Sequence, residues 1–139
     1  MKKLFFFLLS ICIPLLAFTQ SSAVTLQAEQ ALASYQSTYQ LNSDQRAQML
    51  DIQQQYFQKE AQLSELKTKD MDRYLSKVIT LRKVTESSIF QLLNEQQQAI
   101  FSRKQEERTQ KQTALRKKLN KEGASQIEIK KALLELNQL

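Results

Sequence analysis

Apolar residues follow two different patterns along this 139-residue chain. Residues 4–18 form a nearly unbroken apolar run behind Lys2 and Lys3, whereas from Leu26 onward the apolar residues recur every three or four positions. The second spacing places apolar side chains along one side of an α-helix. The chain is therefore predicted to carry an apolar leader followed by several amphipathic helices.

Amphipathic stripes predict three helices before residue 94. The first covers residues 26–39, and the second begins at Ser43 with a stripe that extends to Leu63 and Leu66. Residues 66–72 are then mostly polar but contain neither Gly nor Pro, which leaves open a bend in one long helix or a tight turn between two. A third helix is predicted from Met71 up to Leu93.

The last third of the chain predicts a polar helix and a short returning helix. Residues 102–113 contain no apolar side chain, which is typical of a solvent-exposed helix. Gly123 is expected to end that helix, because glycine readily adopts the left-handed conformation found just after many helices. Ser125 and Glu128 then match a capping box, which predicts a final helix folded back as a hairpin.

Two short segments, residues 41–45 and 93–97, share the pattern L-N-x-x-Q. In each segment the Asn is placed to accept a hydrogen bond from a free N–H of the first helical turn. The Gln three residues later can reach back to the N–H of that Asn. Each segment therefore predicts a helix start. The predicted helix-cap residues are Leu41, Asn42, Gln45, Leu93, Asn94 and Gln97.

Composition restricts the fold class to all-α. Outside the leader the chain has no cysteine, proline or histidine, and Gly123 is its single glycine. Long helices are the expected regular structure of such a chain, which is rich in Gln, Leu, Ala, Lys and Glu. We predict a thin, extended helical hairpin bundle of four to five helices. Because a chain of this size has only a small core by itself, we also predict a homodimer.

The leader, residues 1–19, has the features of a secretory signal peptide. Its apolar run is about fifteen residues long, shorter than the roughly 20 that a membrane-spanning helix needs. Small residues predict cleavage between residues 18 and 24, leaving residues 20–139 as a single all-helical domain without stable membrane insertion. Because Lys2 and Lys3 leave with the leader, the net charge falls from +6 to +4.

The residue types that remain argue against catalysis and against soft-metal binding. Without histidine, cysteine or a glycine-rich loop, the processed chain offers no recognisable nucleophile, general base or phosphate cradle. We expect no enzyme activity, no cofactor and no metal site, although weak carboxylate binding of hard cations stays open. Basic residues near Lys121 are explained by the helix dipole, so no nucleic-acid partner is expected.

The paired L-N-x-x-Q segments resemble the L-T-x-x-Q motifs of the Spy/CpxP family of periplasmic stress chaperones, over roughly residues 28–118. Asn replaces Thr in both copies. The resemblance implies a curved helical dimer in the periplasm that acts as an ATP-independent holdase for unfolded or misfolded envelope proteins. The same fold serves an alternative, a regulator in the envelope stress response that binds a membrane sensor or an anti-sigma system. A metal sensor is disfavoured because histidine and cysteine are missing.

A holdase needs a surface that attracts chains by charge and holds them by apolar contact. Cationic and apolar residues that alternate on the second and third helices are the candidates for this client-binding surface. They are Arg46, Met49, Phe57, Lys59, Met71, Arg73, Lys77, Arg82, Lys83 and Val84.

Overall fold

The computed structural model describes residues 15–136, with side chains described from Ser22 onward. All elements in this part of the chain are helices, which confirms the predicted all-α class. They are α1 Leu15–Tyr39, α2 Ser43–Gln62, α3 Leu66–Lys69, α4 Met71–Leu92, α5 Glu95–Lys121 and α6 Gln126–Glu135. The count of described helices is six, rather than four to five, because the break after α2 contains the four-residue helix α3.

The predicted leader lies mostly outside the described residues, since residues 1–14 are not among them. Helix α1 begins at Leu15 and passes through the predicted cleavage region, whereas the sequence pattern predicted a helix only from residue 26. The signal peptide and its cleavage therefore stay predictions. Within residues 15–136, none of the helices has the length and apolar character to cross a membrane.

A turn, and not a bend, separates α2 from α4. Helix α2 ends at Gln62, so Leu63 lies in the turn and Leu66 begins α3. The predicted extension of the second helix to these two leucines is therefore wrong. Asp70 then begins α4, because its side chain accepts a hydrogen bond from the backbone N–H of Arg73 at 3.0 Å. The break thus needs neither glycine nor proline, since a side-chain cap restarts the helix.

The end of α5 and the start of α6 follow the predicted signals. Gly123 has φ +76°, and its N–H and that of Ala124 bond the carbonyls of Asn120 and Leu119, as in a Schellman motif. The Ser125 N–H then donates to the Glu128 carboxylate at 2.7 Å, completing the capping box. Hydrogen bonds from Ser125 lower the pKa of Glu128. Both predictions are confirmed.

The helices pack around two small cores at different positions along the bundle. Helix α1 lies against α2, α2 against α4, and α6 against both α4 and α5. The motif-end core consists of Tyr39, Leu41, Met49, Ile89, Leu93 and Phe101. The distal core consists of Tyr74, Leu75, Val78 and Leu134. Among the described side chains only Met49 and Ile89 are large and fully buried, so the bundle is thin.

Polar contacts fix α6 along α4. The Lys130 ammonium donates to the Asp72 carboxylate at 2.7 Å and to the Ser76 hydroxyl at 3.0 Å. Leu134 lies one turn beyond Lys130 on α6, and its carbonyl accepts a hydrogen bond from the Arg82 guanidinium of α4 at 3.3 Å. These contacts join residues more than fifty positions apart and set α6 parallel to α4.

Candidate functional site

Both L-N-x-x-Q segments form complete capping boxes. Asn42 accepts a hydrogen bond from the Gln45 N–H at 2.9 Å, and the Gln45 side-chain oxygen accepts one from the Asn42 N–H at 3.2 Å. The corresponding distances between Asn94 and Gln97 are 3.0 and 2.9 Å. The predicted starts of α2 and α5 are therefore confirmed.

The two motif turns meet through their glutamine side chains. The Gln45 amide nitrogen donates to the Gln97 side-chain oxygen at 2.7 Å, and the Gln97 amide nitrogen donates back to Gln45 at 3.1 Å. Each amide also donates to a carbonyl at the end of the helix that precedes the other motif. Gln45 donates to Leu92 of α4, and Gln97 donates to Tyr39 of α1. We call this arrangement the glutamine junction.

The glutamine junction leaves none of its amide hydrogen-bonding capacity unused. Each amide nitrogen has two hydrogens, one for the partner glutamine and one for a helix carbonyl. Each amide oxygen accepts two bonds, one from its own cap N–H and one from the partner glutamine. Gln45 and Gln97 are only 8% and 7% exposed, so this complete pairing offsets the cost of burying them.

The motif leucines anchor the junction in the motif-end core. Leu41 and Leu93 are nearly buried and lie with Met49 and Ile89 in the same apolar cluster. Their positions ahead of each cap correspond to the apolar residue that often fixes the entry of the chain into a helix. The predicted motif residues therefore form one structural unit, with the leucines in the core and the amides in the turn.

A cleft of about 290 Å³ lies beside the glutamine junction, between α1, α4, α5 and the end of α6. Its aromatic side is continuous, since the Tyr35 and Tyr39 rings stack at 5.9 Å and the Tyr39 and Phe101 ring centroids are 6.3 Å apart. The lining residues are Tyr35, Tyr39, Glu86, Phe101, Lys104, Gln105, Glu107, Arg108, Lys111 and Leu136. We call this the aromatic cleft.

Charged side chains border the aromatic cleft. The Arg108 guanidinium pairs with the Glu86 carboxylate at 2.7 Å, and the Gln105 amide donates to the same carboxylate at 3.0 Å, which ties α5 to α4. Lys104 and Lys111 are exposed at the rim. Burial raises the pKa of Tyr35 to about 12, and the neighbouring Tyr39 and Glu86 act in the same direction. The phenol therefore stays neutral under physiological conditions.

The structure divides the predicted client-binding residues into three groups. Met49 is 0% exposed, so its assignment to a binding surface was wrong: it fills the motif-end core. Phe57 and Arg82 are half-buried, and the Arg82 guanidinium donates a hydrogen bond to the Leu134 carbonyl. The exposed residues are Arg46, Lys59, Met71, Arg73, Lys77, Lys83 and Val84.

Only part of that exposed group shares one face. Arg73, Lys77 and Val84 are four and seven positions apart on α4, which places them along one line of the helix. The remaining exposed residues belong to other directions of α4 or to α2. We call the aligned residues the outer face of α4.

The aromatic cleft was not predicted from the sequence, in which Tyr35 and Tyr39 are only part of the amphipathic pattern of residues 26–39. A signal was nevertheless present on α5, because Phe101, Lys104, Arg108 and Lys111 are spaced by three, four and three positions. This spacing places one aromatic and three cationic side chains on one side of a helix. What the spacing does not reveal is that α1 supplies two tyrosine rings opposite them.

Comparisons with known proteins found no relative of this chain. No protein-family model, no curated protein and no solved structure matches this chain. Within the described residues, no group of three or more His, Cys, Asp or Glu side chains is arranged to hold a metal ion. The class that fold and site define is an all-helical hairpin bundle in which two glutamine-containing caps are joined.

Proposed function

We propose that this protein is an exported, ATP-independent holdase that binds unfolded or misfolded envelope proteins. The observation that carries the proposal is the glutamine junction. A helix cap needs only local hydrogen bonds, so two independent caps do not require their glutamines to be buried against each other. Mutual burial of the glutamines is expected if the two segments act as one paired motif. The junction thus supports treating the two segments as the paired motif on which the Spy/CpxP resemblance rests.

The aromatic cleft is the surface that we assign to client binding. Its volume of about 290 Å³ lies at the small end of ligand-pocket sizes, which suits an apolar side chain of an extended segment better than a cofactor. Tyr39 and Phe101 belong mainly to the motif-end core, so the apolar contact area comes from Tyr35 and from the small exposed parts of those two rings. Lys104 and Lys111 attract acidic or polar segments from solution. Capture should therefore be fast at low salt and slower when salt screens the lysines.

We further propose that the holdase is a homodimer. The two cores are small and separate, and large apolar side chains remain outside them, including Leu26 at 56% and Val84 at 58% exposure. Association would bury part of this surface and add stability that a thin bundle lacks. Sedimentation equilibrium of the processed protein should give twice the monomer mass. A monomer mass at micromolar concentration would remove the dimer from the proposal.

The test of the holdase is aggregation of a chemically unfolded client, followed by light scattering without nucleotide. Stoichiometric wild-type protein should slow aggregation at low salt. The double variant Lys104→Gln with Lys111→Gln should need several-fold more protein for the same effect. A matched control, Lys69→Gln with Arg103→Gln, removes the same charge from exposed positions outside the cleft and should behave as wild type.

A second double variant separates the aromatic cleft from the outer face of α4. If Arg73→Gln with Lys77→Gln loses suppression while the cleft variant keeps it, the binding surface is the outer face and the cleft assignment is wrong. If an excess of wild-type protein leaves aggregation unchanged at low salt, the holdase is rejected. The regulator that binds a membrane sensor or an anti-sigma system would then be the function to test.

A further inference from the structure

The hairpin between α5 and α6 carries a concentration of unpaired positive charge. Arg116, Lys117 and Lys121 are exposed, and no carboxylate of the described residues lies within ion-pair distance of any of them. The nearby pair of Lys118 with Glu122 is long, at 3.9 Å, and well exposed. We call Arg116, Lys117 and Lys121 the basic tip.

The helix dipole explains only part of this charge. Its effect is confined to the last turn of a helix, which in α5 contains Lys118 and Lys121. Arg116 and Lys117 precede that turn. From Arg108 to Lys121 the helix has no acidic residue at all, so the excess charge is not balanced along the helix either.

Apolar exposure next to the basic tip points to the kind of surface that it contacts. Ile127, in the first turn of α6 just beyond the Gly123 turn, is 42% exposed, and Lys131 lies one turn later on the same side of the helix. Leu115 and Leu119 of α5 are half-buried. A wide, open depression of about 430 Å³ lies between the side chains of the basic tip. Because its border is cationic, it favours anions over an uncharged extended peptide. A flat array of anions with an apolar layer beneath it can pair with the cations of the basic tip and give the isoleucine side chain an apolar contact.

We propose that the basic tip and Ile127 dock on the surface of an anionic phospholipid bilayer. Cations held near such a surface bind its negative headgroups, and each contributes roughly a five-fold gain in partitioning. The docking is peripheral. It goes beyond the holdase and does not depend on it, because the tip and the aromatic cleft share no residue.

Vesicle co-sedimentation of the processed protein, purified after export, tests this proposal. The protein should bind vesicles containing phosphatidylglycerol and be released by about 0.5 M salt, where screening shortens to a few ångströms. The triple variant Arg116→Gln, Lys117→Gln and Lys121→Gln should bind on the order of 100-fold more weakly. Ile127→Ser should bind several-fold more weakly. All four side chains are exposed, so the helical circular dichroism should be unchanged.

A charge-matched control decides whether the tip itself is responsible. Lys59→Gln, Lys69→Gln and Arg103→Gln remove three exposed cations elsewhere and should retain vesicle binding within about three-fold. Equal losses in both triple variants, or equal binding to neutral phosphatidylcholine vesicles, would overturn the proposal. So would a tip variant that keeps vesicle binding but loses affinity for a DNA oligonucleotide, which would identify nucleic acid as the ligand.

Discussion

The glutamine junction makes a quantitative prediction about the stability of the bundle. Gln97→Ala removes the acceptor for the Asn94 N–H, the donor for the Tyr39 carbonyl and both bonds with Gln45. With each neutral hydrogen bond contributing about 1 kcal/mol, the variant should lose about 3–4 kcal/mol of unfolding free energy. Gln45→Ala breaks an equivalent set through Asn42 and Leu92 and should lose a similar amount.

A double-mutant cycle isolates the contact between the two motifs. Gln45 and Gln97 share two of the hydrogen bonds that each single variant loses, so the double variant should lose about 1–2 kcal/mol less than the sum of the single losses. Urea unfolding followed by far-ultraviolet circular dichroism measures all four free energies. Protein concentration must be the same throughout, because dimerisation would make apparent stability concentration-dependent.

Two controls make the cycle interpretable. Gln96→Ala changes an exposed glutamine in the same turn and should alter stability by less than about 0.5 kcal/mol. Gln97→Glu keeps the shape but cannot donate to the Tyr39 carbonyl, so it should destabilise at neutral pH although its volume is unchanged. Additive single losses within about 0.3 kcal/mol would show that the motifs are independent caps and would refute the reasoning.

Three further predictions concern the caps, the buried phenol and export. Asn42→Ala and Asn94→Ala should each cost about 1 kcal/mol, and unchanged melting midpoints would contradict their capping role. Burial raises the pKa of Tyr35 from its usual 10 to about 12. The stabilisation that the neutral phenol adds to the folded state is therefore complete below pH 10 and is lost as the pH rises through 12. Of the stability lost there, about 2–3 kcal/mol should be missing in Tyr35→Phe, with alkaline unfolding titrations as the check. That variant keeps the contributions of Tyr39 and Tyr56, whose pKa values burial also raises. Amino-terminal sequencing of the exported protein should find a start between residues 18 and 24; a start at Met1 would disprove cleavage.

The sequence by itself determined the helical class and most helix ends. A capping box involves residues only three positions apart, and Gly123 ends α5 through its own backbone conformation. Such signals are local, because the hydrogen bonds they form close within one helical turn. That is why Asn42, Asn94 and Ser125 could be placed correctly without knowledge of any neighbouring helix.

Only the tertiary structure decided which side chains face one another. Nothing within one turn of Gln45 indicates that its amide meets Gln97, fifty-two positions away, because that contact depends on where the tertiary fold places the first turns of α2 and α5. For the same reason an apolar stripe could not separate Met49, which fills the core, from Tyr35, which lines the aromatic cleft. A stripe identifies the side of a helix that leaves water, but the shape of the neighbouring helices determines whether that side is packed solid or lines a cleft.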